Sequence, residues 1–220
     1  MGAGNRMTVT TDSGQLIGMR PYRLDDAEHM VDGMQSYSVV RTLGRVFAPS
    51  LEAERTWIAE RAADPTGFGW AITIDDRPIG SIGVEGIENR RGTAGAVIYD
   101  QTQWSAGIAS AAARASLYFA VTAHDMLAVD AGVYACNPAS YRLQLGVGFI
   151  LVGRVHQGGI VDGKPSDMLQ LMWVNPDRAR WNYFWRNAEP NPHGIEEPFS
   201  AGRKRALKSL AWARKNVQIL

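Results

Sequence analysis

The sequence predicts an α/β domain with a helical C-terminal extension, and three observations carry that prediction. "GFGWAITID" and "IGSIGVEGI" have strand composition and meet at Asp76-Arg77-Pro78, a turn-forming triplet. "TAGAVIYD" is followed by a glycine turn and an alanine-rich segment. There Ile108, Ala111, Ala112, Ala115 and Phe119 recur at helical spacing on one face. Composition then shifts after Asn175: residues 176–220 hold nine Lys/Arg against four Asp/Glu, a net +5, which leaves −4 on residues 1–175.

The elements follow in order. Residues 1–13 read as a flexible tail, 14–175 as the domain, and 176–220 as a basic, Trp-rich helical extension. "QLIGMRPYR" is a short strand. "LDDAEHMVDGM" opens a helix with Asp25 at the N-cap and Glu28 three residues on, a variant of the capping box. "APSLEAERTWIAERAA" is a second helix capped by Ser50. After the strand pair and the Ala-rich helix, "LAVDAGVYAC" is a strand and "PASYRLQLG" a short helix ending at glycine. "FILVGRVHQGGI" and "SDMLQLMWV" are strands joined around Asp162-Gly163, a good hairpin turn. In the extension, "AEPNPHGIEEP" is a Pro-rich joint, and "SAGRKRALKSLAWARKNV" a basic helix with Leu207, Leu210 and Ala211 on one side.

Bulk properties exclude several classes. The 220 residues are 45% hydrophobic and 20% charged, enough apolar content for a sizeable core. A net charge of +1 points neither to nucleic acid nor to a membrane surface. A single cysteine, Cys136, allows no internal disulfide and fits a reducing, cytoplasmic setting. No apolar run approaches the ~20 residues that span a bilayer. The opening "MGAGNRMTVT" lacks a hydrophobic signal core, and Arg6 stands where a myristoylation signal has Ser or Thr. The four histidines have no metal-ligand spacing, so no metal is expected.

The chemistry starts at "DQTQWSAGIASAAARA". A glycine between a strand and a helix start frees backbone N–H groups at the positive end of the helix dipole, which makes an anion site without a cationic side chain. Ala106, Gly107, Ile108 and Ala109 supply the donors. Thirty residues on comes "NPASYRLQLGVGF". With Trp104, Gly107 and Ala109 as Trp-x-x-Gly-x-Ala, and Asn137, Ser140 and Arg142 followed by Gly148-Phe149, the chain resembles the GNAT superfamily of acyl-CoA-dependent N-acyltransferases. Within it, the nearest resemblance is to the ribosomal-protein N-terminal acetyltransferases. "MRPYRLDDA", "PIGSIGV" and "VDGKPSDMLQLMW" match in the same order, so the likeness covers about residues 14–174.

That resemblance implies a mixed, mostly antiparallel sheet of about seven strands flanked by helices, with acetyl-CoA as co-substrate. The turn Trp104, Ser105, Ala106, Gly107, Ile108, Ala109 would hold the diphosphate. The strand residues Ala96, Val97 and Ile98 would offer backbone to the pantetheine arm, and Asn137 and Arg142 would complete the binding set. Ser140 would protonate the departing thiolate, Asn137 orient the pantetheine or a water, and Glu85, Glu88 or Asp100 accept the amine proton through water. These residues also have plainer readings: Asn137, followed by Pro138, caps a helix; Ser140 makes an early-helix hydrogen bond; Glu85 and Glu88 are solvated strand ends. Arg114 is a second candidate cation for the diphosphate. Three positions depart from the family pattern. Ser105 and Ala106 replace a glycine and a cation, Ala94 stands where many relatives have a glutamate, and Gln144 where some have a tyrosine.

The implied reaction is direct transfer of acetyl to a primary amine on a protein N-terminus or a small molecule. Deprotonating an α-amine of pKa ~8 at pH 7 costs about 1.4 kcal/mol, and a lysine-type amine about 4.6 kcal/mol. Positioning alone lowers a barrier by roughly 7–11 kcal/mol, so a weakly basic acceptor needs little acid–base help. Two other readings stay open: a catalytically weak GNAT domain serving as a binding module, and a nucleic-acid-associated protein acting through its basic extension. In the second, the aromatics Trp181, Phe184 and Trp185 stack on bases; otherwise they dock on the domain. A homodimer is also compatible with the sequence.

Overall fold

The structure is a computed structural model and describes residues 4–44, 47–177 and 196–220, with the side chains of residues 196–199 excepted. Nine strands form one sheet: β1 (Met7–Thr10), β2 (Leu16–Arg20), β3 (Phe68–Ile74), β4 (Arg77–Glu88), β5 (Arg91–Ile98), β6 (Ala128–Tyr134), β7 (Ile150–Val161), β8 (Lys164–Val174) and β9 (Val217–Ile219). Their spatial order is β7-β8-β6-β5-β4-β3-β2-β1-β9. Every neighbouring pair is antiparallel except β5 and β6. The helices are α1 (Asp26–Met34), α2 (Tyr37–Val40), α3 (Leu51–Ala63), α4 (Ile108–Thr122), α5 (Pro138–Val147) and α6 (Glu196–Asn216).

The sheet separates two apolar clusters. On one face, α4 and α6 pack on Phe68, Trp70, Ile72, Ile82, Val84 and Val129. Ile108, Ala111, Ala112, Ala115 and Phe119 of α4 are all buried, as their spacing predicts. On the other face, Ala27, Met30 and Met34 of α1 meet Val39, Val40, Ile58 and Tyr99, with Tyr22, Trp57 and Val97 against them. The β7–β8 turn falls where expected, whereas the β3–β4 turn lies one residue before Asp76-Arg77-Pro78, with Arg77 and Pro78 already paired in β4. Asp75-Asp76, between β3 and β4, and Asp162-Gly163, between β7 and β8, have φ of +49/+63° and +54/+70°, as two-residue hairpin loops require.

Four expectations need correction. Residues 7–10, placed in a flexible tail, form β1: Met7 and Val9 point into the core at 1% and 0% exposure. β1 pairs with both β2 and the C-terminal β9, so the sheet has two strands beyond the seven expected. Asp25 does not cap α1, because its backbone is already helical (φ −73°, ψ −18°) and its side chain takes no cap bond. Asp26 does the anchoring instead. Its carboxylate accepts the Arg23 N–H at 2.8 Å and the Arg20 guanidinium at 2.7 and 2.8 Å. Glu28 closes no capping box and pairs with Arg55 at 3.1 Å. Ser50, by contrast, caps α3 by accepting the Ala53 N–H at 3.1 Å.

The fourth correction concerns α6. The buried stripe is Gly202, Ala206, Ser209, Leu210 and Ala213, while Leu207 and Ala211 face outward. Small residues allow close approach. Gly148, at φ +115°, ends α5 where a Cβ would lie 2.7 Å from the Ala206 main chain. Arg205 and Arg203 donate to the carbonyls of Phe149 and Pro176 at 3.3 and 3.0 Å, which ties α6 to the domain. Trp181, Phe184 and Trp185 lie outside the described residues. No helix among the described residues is long and apolar enough to cross a membrane.

The Arg20–Asp26 pair is buried, with side chains 6% and 3% exposed, and the Asp26 hydrogen bond raises the Arg20 pKa despite desolvation. Removing Asp26 leaves the buried Arg20 guanidinium with only the exposed Asp76, at 2.8 Å, as its acid. Asp26→Ala is therefore expected to lower unfolding free energy by about 3 kcal/mol in urea titrations, and Asp26→Asn by less.

Candidate functional site

The site begins where two parallel strands part. β5 and β6 pair only at Arg91–Ala128, Gly92–Val129 and Thr93–Asp130, then diverge. Arg91 bridges the base of this fork, its guanidinium donating to the Asp130 carboxylate at 2.5 and 2.7 Å. Beyond the fork each strand is held on its far side: β5 pairs with β4 out to Gly80–Ile98, and β6 with β8 out to Tyr134–Met168.

Antiparallel pairs alternate in hydrogen bonding, so one bond fixes the phase of a ladder. Tyr99 N–H donates to Ile79 O at 3.0 Å, which assigns the main-chain groups of Val97, Gly95 and Thr93 to β4. Those of Ala96 and Ile98 then face the gap. Ala135 N–H donates to Asp167 O at 2.8 Å, which by the same logic turns Gly132 and Tyr134 toward the gap from β6. The Ile98 carbonyl is already taken, accepting the Trp104 indole N–H at 2.8 Å. Of the three β5 residues expected to offer backbone, Ala96 does so completely, Ile98 through its N–H, and Val97 does not, because β4 uses its main chain.

The gap opens into a cavity of about 900 Å³ that runs from Ala94–Ile98 past Trp104, Gly107 and Ser110 to Asn137, Ser140 and Arg142. At its outer end is the turn before α4. Ser105 and Gly107 both adopt positive φ (+66° and +79°), and a Cβ on Gly107 would meet nothing within 4 Å. The first paired amide of the helix is Ala111, which donates to Gly107 O at 3.0 Å. None of the N–H groups from Ser105 to Ser110 has a main-chain or side-chain partner among the described residues. This is an open helix N-terminus ready for an anion.

The α5 residues line the opposite wall. Asn137 caps that helix, its Oδ1 accepting the Ser140 N–H at 3.1 Å, which leaves its amide end toward the cavity. The Ser140 side chain is half-buried on the same wall. Arg142 is exposed and forms no ion pair among the described residues. Arg114 does not reach the cavity lining; it pairs with Asp12 at 3.1 Å and stacks over Trp212 at 4.7 Å.

A second cavity, of about 180 Å³, lies on the other face of β4 and β5 under α1 and α3. The two cavities share Leu43, Ile82, Val84, Gly95, Ala96 and Val97 as walls, so they meet at the middle of β5. Glu85 lines the smaller one and is held by Arg61 at 2.9 Å. Glu88 lines neither and sits exposed opposite Arg91 in the β4–β5 hairpin. Asp100, another carboxylate near the gap, is occupied as a cap, accepting from Thr102 at 3.0 and 2.6 Å. Tyr22, wedged edge-on against Trp57 at 5.2 Å, has its hydroxyl pKa raised by burial. Tyr22, Trp57 and Arg61 escape sequence reasoning because each reads as an ordinary packing or helix-surface residue. No group of three His, Cys, Asp or Glu among the described residues could hold a metal.

A family profile described as an acetyltransferase (GNAT) domain matches residues 17–150. No curated protein sequence matches the chain. Among solved structures, Mycobacterium smegmatis RimJ in complex with CoA-disulfide superposes with a TM-score of 0.67 at 15% identity, over 98% of this chain and 97% of that one. The Vibrio cholerae spermidine N-acetyltransferase, solved with CoA and spermine, gives 0.66 at 14% identity over 72% and 95% of the two chains. A structure described as a probable acetyltransferase gives 0.64 at 23% identity over 72% and 93%. At these identities the likeness is one of fold.

The phase of the β5 ladder has a direct readout. In the unliganded protein, the amides of Ala96 and Ile98 are expected to exchange with solvent about 100-fold faster than those of Gly95 and Val97, measured residue by residue by NMR. Equal protection along Gly95–Ile98 would show that the fork is closed.

Proposed function

The chain belongs to the GNAT acetyltransferase family, and from that premise we propose that it moves acetyl from acetyl-CoA directly to a primary amine. The observation that carries this reading is the pairing of two open main-chain features in one cavity: the amides of the Gly107 turn and the free edge of β5 at Ala96. A diphosphate fits the first, with the helix dipole behind it. A pantetheine arm, which carries amide groups, fits the second as an added strand. Arg142 stands where it adds a cation for a phosphate, replacing the cation missing from the turn itself.

In this arrangement the thioester carbonyl comes to rest near Ala96, where both cavities open. The neutral amine attacks that carbonyl carbon, the C–S bond breaks, and the thiolate departs toward α5. The Ser140 hydroxyl on that wall donates its proton to the departing sulfur and is reprotonated from water. The amine proton leaves through water toward Glu85, whose carboxylate Arg61 holds at the rim of the smaller cavity. General acid–base groups of this kind contribute roughly 10²–10⁴-fold, and positioning supplies the larger share.

Two measurements test the proposal. Calorimetric titration with acetyl-CoA is expected to give saturable one-to-one binding, and Gly107→Glu to weaken it at least about 100-fold by setting a carboxylate against the diphosphate. Retained affinity in that variant, with native circular dichroism, would reject the site. Thiol release on an amine panel tests the transfer. Glu85→Gln is expected to lower kcat about 10–100-fold with little change in KM for acetyl-CoA.

A further inference from the structure

Three glycines from three different strands lie side by side in the sheet. Gly69 of β3 pairs with Gly83 of β4, and Gly83 pairs with Gly95 of β5. All three point to the α1–α3 face, since their neighbours Phe68, Trp70, Ile82 and Val84 fill the opposite core. They form a side-chain-free floor under the 180 Å³ cavity. Its roof and ends are Tyr22, Met30, Met34 and Trp57. The floor is not equally covered. A Cβ on Gly69 would touch the Tyr22 ring at 3.2 Å, and one on Gly83 would press on the Phe68 carbonyl at 2.7 Å. A Cβ on Gly95 would meet nothing within 4 Å. Gly95 therefore has empty space above it in the middle of a central strand, with no positive φ to call for glycine. The slot lies against the coenzyme cleft, with the middle of β5 as the wall the two cavities share.

We propose that this slot is the acceptor pocket and that it takes a small monoamine carried on a flat apolar body, an arylalkylamine. The inference rests on the acetyl-transfer reading above and assigns its acceptor. A flat floor of peptide planes facing aromatic and thioether side chains favours an aromatic ring. The volume is well below the ~300 Å³ at which drug-sized pockets begin, so it holds one ring and a short tether. The carboxylates at the cavity are already engaged. Glu85 and Asp64 flank Arg61 at 2.9 and 3.6 Å, and Glu54, 5% exposed, has a partner within the protein. A second or third ammonium of a polyamine would find no spare acid here. The single amine points to the shared wall at Ala96.

Gly95 provides the test, because a side chain there enters the slot without displacing protein atoms. Thiol release is measured with acetyl-CoA and 2-phenylethylamine, spermidine or a serine-initiated hexapeptide, in the native chain, Gly95→Ala and Gly95→Val. The expected result is kcat/KM for 2-phenylethylamine at least 10-fold above the other two. KM for it should rise severalfold in Gly95→Ala and more than 10-fold in Gly95→Val, with the melting temperature and the acetyl-CoA dissociation constant held within twofold. Calorimetry of 2-phenylethylamine into the protein saturated with non-reactive coenzyme A should show binding that Gly95→Val removes. Turnover that favours spermidine or the peptide, or a KM indifferent to Gly95→Val, overturns the acceptor assignment and leaves the acetyl-transfer reading standing. No binding of acetyl-CoA at all overturns both.

Discussion

Everything in this molecule turns on a parallel ladder that stops after three residue pairs. Parallel strands normally run as a continuous ladder buried on both faces. Here β5 and β6 share Arg91–Thr93 with Ala128–Asp130 and then part. The separation is fixed from outside: β4 holds β5 and β8 holds β6 along their whole remaining lengths. Main-chain donors and acceptors are thus left open inside a sheet, where an unpaired polar group is costly once water is excluded. Solvent can meet that requirement in the open cleft, and in the proposed reaction a ligand with its own amides meets it. The rigid far-side pairing is what stops the two strands from closing on each other.

How much of this the sequence discloses depends on whether a feature is local. The Gly107 turn, the Ala-rich helix, the Ser50 cap and the Asp162-Gly163 hairpin are each written in a few adjacent residues, and each has its predicted form. The four-residue alternation Met7-Thr-Val-Thr was present as a strand signal, but too short to stand out without its partners β2 and β9. The latter lies some 200 residues away along the chain. Asp25 and Asp26 show a different limit. Both are good capping residues, and the choice between them is made by Arg20, on whose guanidinium Asp26 and Asp76 converge only after β2 and β3 pair. The fork shows in no local pattern, since it is a property of where pairing ends, and only the family resemblance implied that the strands on either side of the Ala-rich helix part. The Val97 backbone could be assigned only once the Tyr99–Ile79 bond set the phase.

Glycine serves two separate physical purposes here, and the sequence does not distinguish them. At Gly107 the requirement is conformational: φ of +79° is needed to turn the chain and leave the helix amides bare. At Gly69, Gly83 and Gly95 the backbone is ordinary strand, and what matters is the missing Cβ. Their separations along the chain, fourteen and twelve residues, carry no recognisable period, so the row exists only in the register of three strands. One set of glycines shapes the anion end of the larger cavity, and the other hollows out the smaller one.

The two cavities reach β5 from opposite faces and share Ala96 as a wall, which constrains the proposed chemistry more than any single side chain does. In the proposed reaction, donor and acceptor approach through separate openings, so neither has to leave before the other arrives. Cys136, the chain's one thiol, is exposed beyond the end of β6 and lines neither cavity. A covalent acyl-enzyme on it would have to carry the acyl group away from the place where the amine waits. Direct attack within a ternary complex needs no such excursion. It also accounts for the sparse acid–base equipment, because the main demand on the protein is to hold two reactants against one small residue. Ala96 is that residue: its side chain is too short to obstruct either partner, and both of its main-chain groups are free to fix the register of the donor.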